Sequence, residues 1–204
     1  MTKYKAVIFD LGKVVFDLSF DRVLESWAIA SGRQLIDIKN RFEFDEIFNQ
    51  FEKNEISAED FREIVSQRMN LKLNNIDFDK SWCDLYLDTY QGIDNLLTKM
   101  KQDYRIVALT NTNIIHHSVW RVKYADTLLH FEKVFSSHEI EARKPEEKAY
   151  KIVLDYLQCL PAEVIFLDDS FENVRGATEL GIDTILVTSN TQMMNKLRIQ
   201  GLIT

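Results

Sequence analysis

Six side chains of this sequence are of types that do chemistry together: Asp10, Thr110, Asn111, Lys144, Asp168 and Asp169. Asp10 closes the apolar run "YKAVIFD", Thr110 and Asn111 follow "YRIVAL", and Asp168 with Asp169 closes "EVIFLDD". Lys144 stands directly before Pro145, where a helical pattern begins. If the apolar runs are strands of one parallel sheet, all these ends meet at a single edge and share one crevice. Clustered carboxylates repel unless a cation sits among them, and hard oxygen ligands suit Mg²⁺. The ammonium, the metal and backbone amides would then hold a phosphate while an Asp oxygen attacks phosphorus in line.

Every one of these residues also has a plainer reading. An Asp at a strand end is often a turn or capping residue, and Asp168 or Asp169 before Ser170 could cap the next helix. Lys144 could be a solvated lysine, and Thr110 and Asn111 could satisfy loop backbone. What favours the chemical reading is that they occur together: Asp10, Thr110, Asn111, Asp168 and Asp169 at the ends of apolar runs, and Lys144 at the start of a helix.

The elements that must position them follow from hydrophobic pattern. The runs at 4–10, 104–110, 133–137, 163–169 and 183–188 are continuously apolar and rich in Val, Ile and Phe, as strands buried on both faces are. Helical patterns alternate with them from about residue 91 onward. "PEEKAYKIVLDYL" places Pro145 at a first helical position, and "FENVRGATELG" closes on Gly181 as a C-terminal cap. The fold class is therefore α/β, a Rossmann-like parallel sheet flanked by helices. Residues 16–90 show no strand signal, only consecutive amphipathic segments, with Ser57 and Asp60 approximating a capping box. They read as a small helical bundle inserted after the first strand, so residues 1–15 and 91–204 form the core domain and 16–90 a cap over the strand ends.

Composition narrows the partners. Of 204 residues, 46% are apolar and 28% charged, enough for a globular core. The net charge of −7 argues against nucleic acid, whose phosphates are bound by a basic excess. Cys83 and Cys159 are far apart and without metal-ligand spacing, so they read as reduced core residues. The opening apolar run is too short for a secretory signal, and no stretch approaches about 18 apolar residues. The expectation is a cytoplasmic protein with no membrane partner. Its oligomeric state is left open, a monomer being compatible.

At the residues above, the sequence resembles the haloacid dehalogenase superfamily of phosphohydrolases. "VIFDLGKV", "VALTN", "RKP" and "IFLDD" match that family's four motifs in order. "FDLGKVVFDLSFDRVL", "LTNTN", "RKPE" and "FLDDSFENV" look like the subgroup containing bacterial α-D-glucose-1-phosphate phosphatase. The resemblance implies an inserted helical cap, Mg²⁺ as cofactor and a small phosphorylated metabolite as substrate, a sugar phosphate such as glucose 1-phosphate. It implies that Asp10 is the nucleophile and a metal ligand, that the Gly12 carbonyl is a second ligand, and that Asp169 is a third, with Asp168 beside it. Thr110 and Asn111 would hold phosphoryl oxygens, and Lys144 would neutralise charge on Asp10 and on the transferring group.

One position departs from the pattern. Many phosphatases of the superfamily carry a second aspartate where this chain has Gly12, to protonate the leaving alcohol and activate water. Here the general acid/base is unassigned. Asp17 is the first substitute to consider, and Lys13 reads as facing solvent. The adjacent pair His116–His117 does not converge on one metal, since helix neighbours point about 100° apart, and reads as packing. The aromatics Trp27, Phe42, Phe44, Phe48, Phe51 and Trp82 read as cap core. Two other functions keep the same residues: a 2-haloacid dehalogenase, in which the Asp attacks carbon without a metal, and a phosphate-binding regulatory protein without turnover.

Overall fold

The structure is a computed structural model and describes residues 3–203. Five strands form its sheet: β1 (Ala6–Phe9), β4 (Arg105–Thr110), β5 (Lys133–Ser136), β6 (Val164–Asp168) and β7 (Asp183–Leu186). Their order is β5-β4-β1-β6-β7, and every pairing is parallel. The continuous apolarity of the strands has a direct cause. Val7 and Phe9 point into one core together with Ile106, Ala108, Ile165 and Leu167. Ala6 and Ile8 point into the other with Val107, Leu109, Val164 and Phe166. Side chains alternate between the faces, and both faces are covered.

Register brings the polar ends level. Phe9 pairs with Ala108 on one side and with Leu167 on the other. Asp10, one residue on, therefore lies beside the ends of β4 and β6. Because β4 and β6 flank β1 and the chain reaches them in opposite directions along the sheet, a crevice opens there.

Residues 16–90 hold more than helices. β2 (Phe16–Leu18) and β3 (Tyr86–Thr89) pair antiparallel, Phe16 opposite Thr89 and Leu18 opposite Tyr86. This corrects the all-helical expectation. A three-residue strand is too short to show a period, and β3 is hidden at the end of an amphipathic segment. Between them lie α1 (Phe20–Ser31), α2 (Leu35–Lys39), α3 (Glu46–Glu52), α4 (Ala58–Met69) and α5 (Asn75–Trp82). Local signals set their ends: Gly32 closes α1 at φ +65°, Asp45 caps α3, and Ser57 with Asp60 forms the expected capping box of α4. Their shared interior is aromatic, with Trp27 stacked on Trp82 at 5.4 Å and Phe51 on Phe61 at 4.1 Å.

The remaining helices cover the sheet: α6 (Ile93–Met100), α7 (Ile114–Lys123), α8 (Ala125–Leu128), α9 (Ser137–Ile140), α10 (Glu147–Leu157), α11 (Phe171–Glu179) and α12 (Asn190–Ile199). Pro145 is not the first residue of α10. It follows Lys144 across a cis peptide bond, and the helix begins at Glu147. Gly176 of α11 is set against this proline: a Cβ there would lie 2.9 Å from both Pro145 Cβ and Pro145 O. Gly181 follows α11 at φ +83°, as the C-terminal signal anticipates. Among the described residues no helix is long and apolar enough to cross a membrane.

Candidate active site at the carboxyl edge of the sheet

Asp10 extends the β1 ladder by one bond, its N–H donating to the Leu167 carbonyl at 2.8 Å. That bond fixes its side chain beside Asp168 and Asp169, and carboxylate oxygens of all three lie within 4.8 Å of one another. Lys144 is 1% exposed and bridges two of them, with Nζ 2.8 Å from Asp10 Oδ1 and 2.6 Å from Asp168 Oδ2. The solvated-lysine reading therefore fails. Thr110, Asn111, Gly12 and Asp169 line the same crevice, so the structure brings together the residues that the sequence places at the strand ends.

Two of them have other partners than expected. Asn111 does not aim its amide at a phosphate. Its Nδ2 donates to the Lys144 carbonyl at 2.9 Å and its Oδ1 accepts from the Lys144 N–H at 2.8 Å, so its side chain holds the lysine's backbone. Asp168 is fully buried and well occupied. Oδ1 accepts from the Ser170 N–H and from Asn173 Nδ2, and Oδ2 from Lys144 and Asn173. Four such bonds fill the acceptor capacity of a carboxylate, which makes Asp168 an anchor for Lys144 more than a metal ligand.

The sequence reading missed Asn173, Thr112 and Trp120. Trp120 Nε1 donates to Thr112 Oγ1 at 3.0 Å, and the Thr112 backbone is bracketed by Ser137 Oγ, which accepts from its N–H at 2.9 Å and donates to its carbonyl at 2.8 Å. Only "LTNTN", which holds Thr112, and "DDSFENV", which holds Asn173, hinted at two of them, and nothing marked Trp120; their partners are 5 to 25 residues distant. Lys13 is exposed, as its reading has it, and it also lines the crevice, where its charge favours the ionised form of Asp169. Asp17 is not among the residues lining that crevice. Its Oδ1 accepts from the Leu18 N–H and from the Tyr90 hydroxyl at 3.1 Å.

The space at position 12 is filled. A Cβ on Gly12 would meet Leu18 Cδ1 at 2.6 Å. His116 proves to be packing: stacked on Trp82 at 4.3 Å, it donates from Nε2 to the Trp82 carbonyl, and burial lowers its pKa to about 3, leaving it neutral.

Burial dominates the electrostatics. It pushes the Asp10 carboxyl up to about 7 against the pull of Lys144, and the charges of Asp168 and Asp169 reinforce the rise. Asp169 is raised for the same two reasons, loss of hydration and then Asp168. Burial alone would lower Lys144, but Asp10 and Asp168 more than offset it and the ammonium persists. Three carboxylates against one buried ammonium are short of positive charge, and oxygen donors are what a hard divalent cation takes. The residues therefore fit Mg²⁺.

The crevice of about 220 Å³ is closed on the other side by Phe16, Leu18, Phe20 and Tyr86. Pockets for drug-sized ligands run to about 300–1,000 Å³, so this space suits a small molecule. Leu18, Phe20 and Tyr86 also line a smaller aromatic recess of about 70 Å³ with Phe48, Trp82 and Glu52.

A parallel sheet with an acidic crevice at the carboxyl edge of its central strands, one buried lysine, and helices inserted after the first strand define a class of hydrolases. The chain belongs to the haloacid dehalogenase-like hydrolase family, whose model matches residues 7–187. It is 22% identical, over 88% of this chain and 90% of the relative, to a D-ribitol-5-phosphate phosphatase of Bacteroides thetaiotaomicron. To a sesquiterpene phosphatase of Aspergillus oryzae it is 27% identical over 97% of this chain and 96% of that one. A magnesium complex of a haloacid dehalogenase family enzyme from Bacteroides thetaiotaomicron superposes with a TM-score of 0.83 at 29% identity, covering 96% of this chain and 99% of that one.

Proposed function

We propose that the protein is a Mg²⁺-dependent phosphatase of small phosphate monoesters. The observation that carries this reading is the buried Lys144 ammonium held between Asp10 and Asp168, with Asp169 completing a carboxylate cluster. Asp10 is the nucleophile: its carboxylate oxygen bonds to phosphorus as the bond from phosphorus to the ester oxygen breaks, leaving an aspartyl-phosphate that water then hydrolyses. Lys144 sits where charge develops on the phosphoryl oxygens, and Thr110 offers its hydroxyl to them. Mg²⁺, held by Asp10, Asp169 and the Gly12 carbonyl, would supply positive charge that the crevice lacks. The relatives support the reading, since two are phosphatases and one is a magnesium complex.

For the substrate, a sugar or polyol phosphate is the first reading, glucose 1-phosphate among its members, with the ribitol-phosphate relative in support. The second is the phosphate of an apolar alcohol, favoured by the wall of Phe16, Leu18, Phe20 and Tyr86. Turnover of p-nitrophenyl phosphate with Mg²⁺, its loss in EDTA, and a screen of phosphorylated sugars, polyols and terpenols test both. Phosphate binding without turnover would leave a regulatory protein. Metal-independent release of halide from a 2-haloacid would make it a dehalogenase.

A further inference from the structure

A second cluster of metal-ligating side chains lies outside the crevice. His117 of α7 faces His138 of α9 with ring centroids 4.9 Å apart, and donor atoms of His117, His138 and Glu139 all lie within 4.8 Å of one another. His138 is 6% exposed, and neither of its ring nitrogens has a hydrogen-bond partner. A buried imidazole left unpaired at both nitrogens is unusual, because buried polar groups are nearly always satisfied. Nothing in the phosphatase reading uses it.

We propose that His117, His138 and Glu139 form a site for a divalent transition metal such as Zn²⁺, distinct from the Mg²⁺ crevice. Two imidazoles and one carboxylate are the donor set of open tetrahedral zinc sites, in which water takes the fourth position. Mg²⁺ prefers oxygen alone, so the two sites select different ions. Tetrahedral donors at bond lengths of about 2.0–2.1 Å lie roughly 3.3 Å apart. His138 and Glu139 are neighbours on one helix, a spacing that by itself does not aim two side chains at one ion. Here, however, their donor atoms and those of His117 already lie within 4.8 Å of one another, and half-buried His117 and exposed Glu139 have the freedom to close the remaining distance on the fixed His138. Burial holds both imidazoles below the ordinary histidine value, in the neutral form that ligates.

The ion would tie together the two helices that carry one wall of the crevice. α7 begins directly after Asn113, and Ser137 of α9 brackets Thr112 from behind. Its binding should therefore raise the melting temperature.

The test uses the full chain without a histidine tag, stripped of metal and then saturated with Mg²⁺, titrated with Zn²⁺ against a chromophoric chelator. One Zn²⁺ per chain is expected, with a rise in melting temperature and full retention in Asp169→Asn. Affinity should fall by at least about tenfold in His117→Gln and in His138→Gln, no less than loss of a mere outer partner costs. Melting of each variant without zinc shows whether it is folded, and His117, half-buried where His138 is buried, makes the first the safer one. The proposal is overturned if no stoichiometric Zn²⁺ binds, if either folded imidazole variant retains it, or if Asp169→Asn loses it.

Discussion

Asn111 grips Lys144 by its main chain, one end of the amide donating to the carbonyl at 2.9 Å and the other accepting from the N–H at 2.8 Å. A strand end thereby fixes the loop that carries the buried cation. Each of the two bonds is worth about 1 kcal/mol net, and about 1.4 kcal/mol is a factor of ten in rate. Asn111→Ala should thus lower kcat by roughly 10–30-fold through misplacement of Lys144, with KM changing little. Direct loss of the cation, in Lys144→Ala, should cost about 10²–10³, as for removal of another transition-state donor. If Asn111→Ala keeps its kcat and raises only KM, the amide serves the phosphate and not the lysine.

The acidic cluster ties metal to pH. The folded-state value of Asp10 lies near 7, above its ordinary 3.8, so the folded chain keeps this proton longer than the unfolded one. Its contribution to metal-free stability is then best below about pH 4 and declines as pH rises towards 7. Mg²⁺ requires the ionised form. The stabilisation it gives should be small at pH 5.5 and larger at pH 8, measured as the shift in melting temperature with and without the ion. An equal shift at both values would mean that Asp10 is ionised throughout. In Asp10→Asn the fold should persist and turnover should vanish.

The strand ends were legible because burial on both faces leaves a simple mark: an unbroken apolar run that stops at the first polar side chain of the crevice. Asp10, Thr110 and Asp168 stand at such stops. The β2–β3 ribbon was not legible, since its two halves are 3 and 4 residues long and some 70 residues apart. Nor were the partners of Asn111, Asp168 and Ser137, because a hydrogen bond across 24 to 33 residues leaves no local pattern. His138 carried no signal for the same reason: its neighbour His117 belongs to another helix.

Glu52 of α3 meets Arg143, the residue before Lys144, at 2.9 Å, and so links the inserted helices to the loop of the crevice. Burial raises the Glu52 carboxyl while Arg143 opposes the rise. Both side chains keep about a quarter of their exposure, so the pair belongs with partly screened bridges worth about 0.2–1 kcal/mol. A double-mutant cycle of Arg143→Ala and Glu52→Gln should return a coupling of that size, read as a KM change of up to about 5-fold. Strict additivity would show that the bridge does not hold the two parts together.

The remaining question is Gly12, where the resemblance leads one to look for an acid and this chain has none. The structure gives it a steric neighbour: Leu18 Cδ1 lies 2.6 Å from where its Cβ would be. Overpacking of this kind costs about 1–3 kcal/mol, although the end of a leucine can turn aside. Gly12→Asp alone should therefore be destabilised, and Gly12→Asp with Leu18→Ala should recover the loss by opening the space. Without an acid the wild-type enzyme should favour leaving groups that depart with little protonation, so a sugar 1-phosphate should exceed the matching 6-phosphate in kcat. General acid catalysis contributes about 10²–10⁴-fold. The double variant should gain most on the 6-phosphate and least on p-nitrophenyl phosphate. A wild-type rate indifferent to leaving-group pKa would mean that another residue already supplies the proton. Asp17 is the first to substitute in that event, its bond to the Tyr90 hydroxyl being the contact it would have to break.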